Sequence, residues 1–441
     1  MELTEFIAAV DLGTSKIVGI VGTKSRDGKM LHVAALEKED SDSCIKRGCI
    51  QNVEEAATKV QRLISRLENR AKCKIGKIYV SLNGQSVQSL DDKVARPLNE
   101  DTPITDQIIE SLKETSMKRQ VGAKEIFDIV PSEYIVDGRK AEQPVGVYGV
   151  EIEATHKLII GRPILKKNIV RMMEKIHLEL AGYILSPLAE SYILSEPEKS
   201  LGCVLVDFGG GTTTVSIYKD KLLQHLAVIP LGGNSITNDI TSLQLMKKEA
   251  EKVKTKFGNA DPEISENENQ IIKHADNSTF DTPEIQLRTL HEVILARCEE
   301  IIENISQQIK VAGFDSKQLS AGIILTGGGS NMKGLIPLLK KETDMDVKMG
   351  VFPNIMNTSI YPEIGKDPAY SVLLGLLRIG SINCRRQDET PAEIETTNNN
   401  SSNTSEKQDD DSNNKGQERK FGRTFINMVK DAFTNDKDSN I

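Results

Sequence analysis

Three glycine-rich turns, each closing an apolar run, constrain this chain more than any other feature. Asp11-Leu12-Gly13-Thr14-Ser15-Lys16 follows residues 6–10, and Asp207-Phe208-Gly209-Gly210-Gly211-Thr212-Thr213 follows residues 203–206. Thr326-Gly327-Gly328-Gly329-Ser330 follows residues 323–325. Any one of them is an ordinary strand turn. Three in this order, two opened by Asp and the last by Thr, describe two similar half-domains closing on one nucleotide.

The chemistry of the turns is specific. A phosphate chain needs backbone N–H donors at close range, and glycine lets the backbone approach. Gly13, Gly209, Gly210 and Gly211 are the candidate phosphate cradle, with hydroxyls from Thr14, Ser15, Thr212 and Thr213 and with Lys16 to neutralise charge. Asp11 and Asp207 would repel a triphosphate directly. Their place at the strand ends makes sense with a cation between, so Mg²⁺ held through water is inferred for both. The third turn has no carboxylate, and Gly327, Gly328, Gly329 and Ser330 suit the flat face of a purine or ribose. Glu251 and Lys254, three apart on one helix face, are the candidate other side of that clamp; a plain solvated charged helix is the alternative.

At 441 residues the chain has material for two or more domains. A net charge of −8 and the absence of Trp argue against a nucleic-acid partner. The six cysteines form no C-x-x-C pair, which predicts free thiols in a reducing compartment. The acidic first residues run straight into a strand, so no signal peptide is expected, and no apolar run approaches the roughly 18 residues of a spanning helix.

Along the chain, residues 6–10, 17–22 and 31–36 are predicted strands, the first two as a hairpin. A helix is predicted over 52–70, with Val53, Ala56, Ala57, Val60, Leu63, Ile64 and Leu67 on one stripe, then a strand over 78–82. Residues 83–161 have the texture of a small α+β insert: Thr105 caps a helix to about 119, between strands at 125–130, 134–136 and 150–160. A helix is predicted over 165–181, a strand meander over 201–231, a long helical stretch from there to about 257, and a helix over 290–311. Helices near Pro187 and over 367–375 line the hinge, where Ala189, Ala369 and Gly375 permit close approach.

Residues 381–417 are rich in Asn, Ser, Asp, Glu, Thr and Gln and carry too little apolar surface to fold. A coil of roughly 35 residues reaches about 30–35 Å. Apolar side chains then return. Phe421, Phe425, Met428, Val429 and Phe433 fall on one helical face, with Lys420 and Arg423 beside it. A basic amphipathic helix on a tether suits an anionic membrane surface; a groove on a partner protein is the alternative. Several copies held together bind far better than one, which points to self-assembly.

Together these motifs resemble the actin-like ATPase superfamily and, within it, the FtsA family of bacterial cell-division proteins. The phosphate motifs match at 11–16 and 207–213 and the adenosine motif at 326–330. Gly232-Gly233, Ile236–Ile240 and Ala250–Lys254 match as well. Pro144-Val145-Gly146-Val147-Tyr148-Gly149 resembles the family's Gly-Met-x-Gly turn, with Val147 in place of Met. The resemblance implies an α/β protein of actin-like ATPase fold: two similar half-domains around a nucleotide cleft, an α+β insert of SHS2 type in the first, and a disordered C-terminal linker ending in an amphipathic helix. The implied boundaries are 1–82 with 164–200 for the first actin-like subdomain and 83–163 for the insert. They are 201–232 with 313–383 for the second subdomain, 233–312 for the subdomain that takes the FtsZ C-terminal tail, 384–418 for the linker and 419–435 for the membrane-targeting helix.

The implied function is an ATP- and Mg²⁺-binding, self-polymerising adaptor that anchors FtsZ filaments to the cytoplasmic face of the membrane at the septum and recruits later division proteins. Arg297 is the candidate contact for the acidic FtsZ tail. One departure bears on turnover. Where related ATPases carry Glu or Gln to orient water, this chain has Ser186, a poor general base. Glu190, one helical turn on, is the weak catalytic candidate, so weak or absent ATPase activity is expected. A small-molecule kinase of the same fold, or a relative in pilus or secretion assembly, are the alternatives; the tail favours division.

Overall fold

The computed structural model describes residues 3–261, 270–273, 284–355, 361–362 and 364–386. The linker and the tail, including Lys420, Phe421, Arg423, Phe425, Met428, Val429 and Phe433, lie outside the described residues.

The first half opens with β1 (Leu3–Leu12), β2 (Lys16–Ser25) and β3 (Leu31–Asp40), followed by a short ladder of β4 (Ile45–Lys46) and β5 (Cys49–Ile50). Helix α1 (Val53–Ala71) and β6 (Lys77–Leu82) come next. The helix starts where it does because Asn52 accepts a hydrogen bond from the Glu55 N–H at 3.1 Å, with Glu54 and Glu55 in the first turn. Its buried stripe of Ala56, Ala57, Val60, Leu63, Ile64 and Leu67 lies on β2 and β3. The insert comprises β7 (Gln88–Pro97), α2 (Asp106–Met117), β8 (Glu125–Val136), β9 (Arg139–Lys140) and β10 (Glu151–Gly161). The chain returns through α3 (Ile164–Lys175), β11 (Glu179–Leu185), α4 (Ser186–Glu190) and α5 (Glu196–Leu201).

The second half contains β12 (Cys203–Phe208), β13 (Thr213–Lys219), β14 (Leu222–Ile229), α6 (Gly233–Ile240) and α7 (Lys247–Phe257). It continues with β15 (Ile271–Lys273), β16 (Glu284–Gln286), α8 (Leu287–Val311), β17 (Ile323–Thr326), α9 (Leu335–Thr343), β18 (Val347–Met349) and α10 (Ser371–Ile379).

The two halves repeat one design. The first sheet runs β11-β6-β1-β2-β3, and the second begins β18-β17-β12-β13-β14. In each, the strand before the glycine turn (β1 or β12) pairs antiparallel with the next strand and parallel with a later one. The turns 11–16 and 207–213 therefore occupy equivalent places at the ends of equivalent strands. The second core gathers Val204, Val206, Phe208, Ile236, Ile294, Cys298 and Leu338 between sheet and helices. Helices α4 and α10 cross where Ala189 and Gly375 meet; a side chain on Gly375 would collide with the Ala189 carbonyl, which explains the glycine.

Four features differ from the expectations. The helix over 165–181 stops at Lys175, and residues 179–185 form β11, the parallel edge of the first sheet. The run to 257 breaks between α6 and α7, at a 3-10 turn over Thr241–Leu243 and a left-handed Gln244 with φ 62°. The pieces at 125–130 and 134–136 are one strand, because a register shift against β10 accommodates Pro131. Residues 88–97 form β7, a mostly exposed strand without apolar alternation. That strand also carries the insert across: Gln88 pairs with Ala227 of β14, so the insert's four strands extend the second half's sheet to nine.

Candidate nucleotide-binding site

The first two turns face each other. A side chain on Gly210 would collide with Ser15 Oγ, and one on Gly211 would place its Cβ 2.6 Å from Thr14 Oγ1. Thr14 is further held by the Gly48 N–H, which donates to its hydroxyl at 3.2 Å. The second turn is braced from below: Gly233 N–H donates to the Gly209 carbonyl at 3.0 Å and Asn234 N–H to the Gly210 carbonyl at 2.7 Å. Ser15 Oγ reaches Asn234 Oδ1 at 3.2 Å, which links the first turn to the start of α6. Thr212 is buried beside them. Gly13 lies in the same turn, and any side chain there would press on the Lys16 carbonyl.

Thr213 departs from its expected role. It begins β13, is fully buried, and its hydroxyl donates to the Leu231 carbonyl at 2.9 Å, so it fastens the start of β13 to the segment that follows β14 and its hydroxyl proton is not free for a phosphate. Lys16 Nζ lies 5.3 Å from the Tyr370 ring centroid, a cation–π contact from the first turn to the foot of α10.

The third turn joins the same place. β17 pairs with β12 so that Thr326 stands beside Asp207. Gly327 has φ 85°, and a side chain there would strike Asp207 Oδ1 and come within 2.7 Å of the Phe208 carbonyl. Gly329 packs on Phe208, Gly328 is open apart from Ala369, and Ser330 is buried with its hydroxyl donating to the Gly327 carbonyl at 2.5 Å. Ser330 is thus a brace for the turn.

The proposed clamp residues form an internal network. Lys254 is 8% exposed and its ammonium donates to the Gly233 carbonyl at 3.0 Å, Thr237 Oγ1 at 2.8 Å and Glu251 Oε2 at 2.7 Å. Lys254 therefore holds up the Gly232-Gly233 turn from beneath, while Glu251 is partly exposed at the rim. Arg297 corrects its expectation. Its guanidinium is bidentate to Asp239 at 2.5 and 3.0 Å and also pairs with Glu300, so it ties α8 to α6 and is not a free cation for an acidic peptide.

Electrostatics single out one corner. Asp11, at the end of β1, is pushed up by burial, against a Ser81 hydrogen bond and the Lys16 charge. Burial, reinforced by the Asp11 charge, raises the Asp207 carboxyl to about 7. Glu190 is raised well above its ordinary value by burial first, then by Asp207 and Asp11. It is 1% exposed, and Oε1 has no hydrogen-bond partner among the described residues. The burial of Glu190 and Asp207 is thus aggravated by like charge, Asp207 and Asp11 for Glu190 and Asp11 for Asp207, and repulsion of that kind is what a bound cation relieves. Among the described residues no group of three acidic, His or Cys side chains could hold a metal ion directly. Ser81, Asn234 and Tyr370 were missed from sequence. Only Asn234, beside the Gly232-Gly233 pair, carried a signal.

Comparison with known proteins agrees with this architecture. The cell division protein FtsA family matches residues 204–375, and the SHS2 domain inserted in FtsA matches residues 84–160. The cell division protein FtsA of Porphyromonas gingivalis is 34% identical over 339 residues, 76% of this chain and 70% of that one. That of Bacillus subtilis is 30% identical over 396 residues, 88% and 86% of the two chains. Among solved structures, the PilM-PilN type IV pilus biogenesis complex is similar in fold, with a TM-score of 0.60 at 15% identity, covering 85% of this chain and 98% of that one. With two actin-like sheets, an SHS2 insert and this identity over most of both lengths, the chain belongs to the FtsA family of bacterial cell-division proteins and has the actin-like ATPase fold.

Proposed function

We propose that this chain is an ATP-binding, self-polymerising adaptor that anchors FtsZ filaments to the cytoplasmic membrane at the septum and recruits later division proteins. The observation that carries the ATP site is the meeting of three distant turns: Gly210 and Gly211 against Ser15 and Thr14, and Gly327 against Asp207. Backbone N–H groups of residues 13–16 and 210–212 take the phosphates, the Gly209 N–H being donated to the Thr212 carbonyl at 2.9 Å, and Gly327, Gly328 and Glu251 border the adenosine. Asp11 and Asp207 orient the water shell of Mg²⁺, which supplies charge neutralisation when bound. The segment 419–435 is the membrane anchor, and subdomain 233–312 takes the FtsZ tail through contacts other than the occupied Arg297 fork. No described helix is long and apolar enough to cross a membrane.

Co-sedimentation with anionic vesicles tests this reading. The intact chain should pellet, more so with Mg-ATP, and a chain ending at Gln417 should stay in the supernatant. An intact chain that never pellets refutes the adaptor.

A further inference from the structure

The hydroxyls of Thr14 and Ser15 are held by different elements, and in opposite senses. Thr14 Oγ1 accepts from the Gly48 N–H at 3.2 Å, which occupies a lone pair and leaves its own proton free. Ser15 Oγ donates its proton to Asn234 Oδ1 at 3.2 Å. A hydroxyl has a single proton, so Ser15 cannot donate to Asn234 and to a phosphate oxygen at once. An ionised phosphate has no proton to give Asn234 Oδ1 in exchange. The Thr14 contact is therefore compatible with a phosphate in the cradle, and the Ser15 contact competes with it.

Both ends of the competing bond are braced within their own halves. On one side, the Ser41 N–H donates to the Ser15 carbonyl at 3.2 Å and Ser41 Oγ donates to the Gly13 carbonyl at 2.7 Å. On the other, the Asn234 N–H holds the Gly210 carbonyl, and α6 is fastened near its far end to α8 through Asp239 and Arg297. Ser15 is exposed and Asn234 half-buried, so the bond is open to a ligand that enters between the turns.

We infer that the Ser15–Asn234 bond is a latch between the first phosphate turn and α6, which ATP displaces to gain the Ser15 hydroxyl. This rests on the ATP-binding reading above. Nucleotide then releases this hold of the first half on α6, and through Asp239 and Arg297 on α8, while the Gly48–Thr14 bond persists. The binding-competent state is the unlatched one, and its population scales the observed dissociation constant. By linkage, whatever holds α6 against the first half opposes nucleotide, and nucleotide opposes that hold by the same factor.

The test is a double-mutant cycle in the full chain, with Ser15→Ala, Asn234→Ala and the double variant, read by calorimetric titration with Mg-ATPγS. Asn234→Ala should bind about two- to tenfold more tightly than wild type, the range that the net stabilisation of one hydrogen bond gives. In the Ser15→Ala background the same substitution should leave affinity unchanged, because the bond is already gone. Thermal melting checks folding; Asn234→Ser, with a side chain too short to keep the bond, takes the place of Asn234→Ala if that variant is unfolded. Weaker or unchanged binding in Asn234→Ala, or an equal gain in both backgrounds, overturns the latch and leaves the ATP site standing. A wild-type chain that binds no nucleotide refutes the ATP reading itself and the latch with it.

Discussion

Acidification should loosen the insert through His156. This ring is fully buried in β10, its Nδ1 is 2.8 Å from Ser116 Oγ of α2, and its Nε2 has no partner among the described residues. Tyr134 stands edge-on to it, with ring centroids 6.3 Å apart. Burial first, then the Lys113 charge, lowers it to about 4 against the opposing pull of Asp92. The folded insert therefore refuses a proton that the unfolded chain accepts from about pH 6.5 downward. Stability is present at neutral pH and is lost as pH falls from about 6.5 toward 4, below which both states are protonated. Linkage over that window puts the loss between pH 7 and pH 5 at about 2 kcal/mol, or roughly 30-fold in the opening equilibrium. Asp128, on the neighbouring β8, is raised to about 7 by burial and acts in the opposite sense, since its folded form gains a proton as pH falls. The variant His156→Leu isolates the histidine because Asp128 is common to both proteins. Hydrogen exchange of β8 and β10 amides, corrected for intrinsic rates, reads local opening without assuming two-state unfolding. Wild type should open roughly 30-fold more at pH 5 than at pH 7 relative to His156→Leu. Parallel pH profiles in the two proteins would refute the argument.

Three further perturbations follow from single contacts. Gly327→Ala forces a side chain into a left-handed residue and against Asp207; strain of about 1–2 kcal/mol plus the displaced carboxylate should weaken Mg-ATPγS binding at least tenfold by calorimetry. Gly375→Ala drives a Cβ into the Ala189 carbonyl and should cost about 1–3 kcal/mol, seen as a lower melting temperature. Asn52→Ala removes the cap of α1 and should cost about 1 kcal/mol, with faster hydrogen exchange confined to the first turn of that helix.

What could be read from the sequence was what local chemistry encodes. Asp-x-Gly turns after apolar runs marked the ends of β1 and β12, and the apolar stripe over 52–70 marked α1 to within a residue, its Asn52 cap unnoticed. What escaped depended on partners far along the chain. β7 has no apolar alternation, because much of it faces solvent, and pairing with β10 and β14 makes it a strand. β11 looked like the tail of a helix until β6 supplied a parallel neighbour. At the site, Thr213 and Arg297 had suitable chemistry, but Leu231 and Asp239 had already engaged them. A residue type states what a side chain can bind, and only the fold states what is left unbound.

That distinction bears on how the insert works. Its chain connections run into the first half, through β6 and α3, yet its sheet continues the second half's. The join is specific: Leu226 N–H donates to Ser89 Oγ at 2.8 Å, Gln88 pairs with Ala227, and Lys140 lies 3.6 Å from Asp220 at the β13–β14 turn. Asn83 Nδ2, at the point where the insert leaves the first half, donates to Thr214 Oγ1 of β13 at 3.4 Å. A rotation of one half against the other therefore meets the insert on two sides, through covalent connection on one and strand pairing on the other. The ladder contact is a single residue pair, far shorter than the β8–β10 and β7–β10 ladders inside the insert. Motion between the halves should open the β7–β14 join and leave the insert intact as a body. Its exposed Val145, Val147 and Tyr148 would then move with the first half.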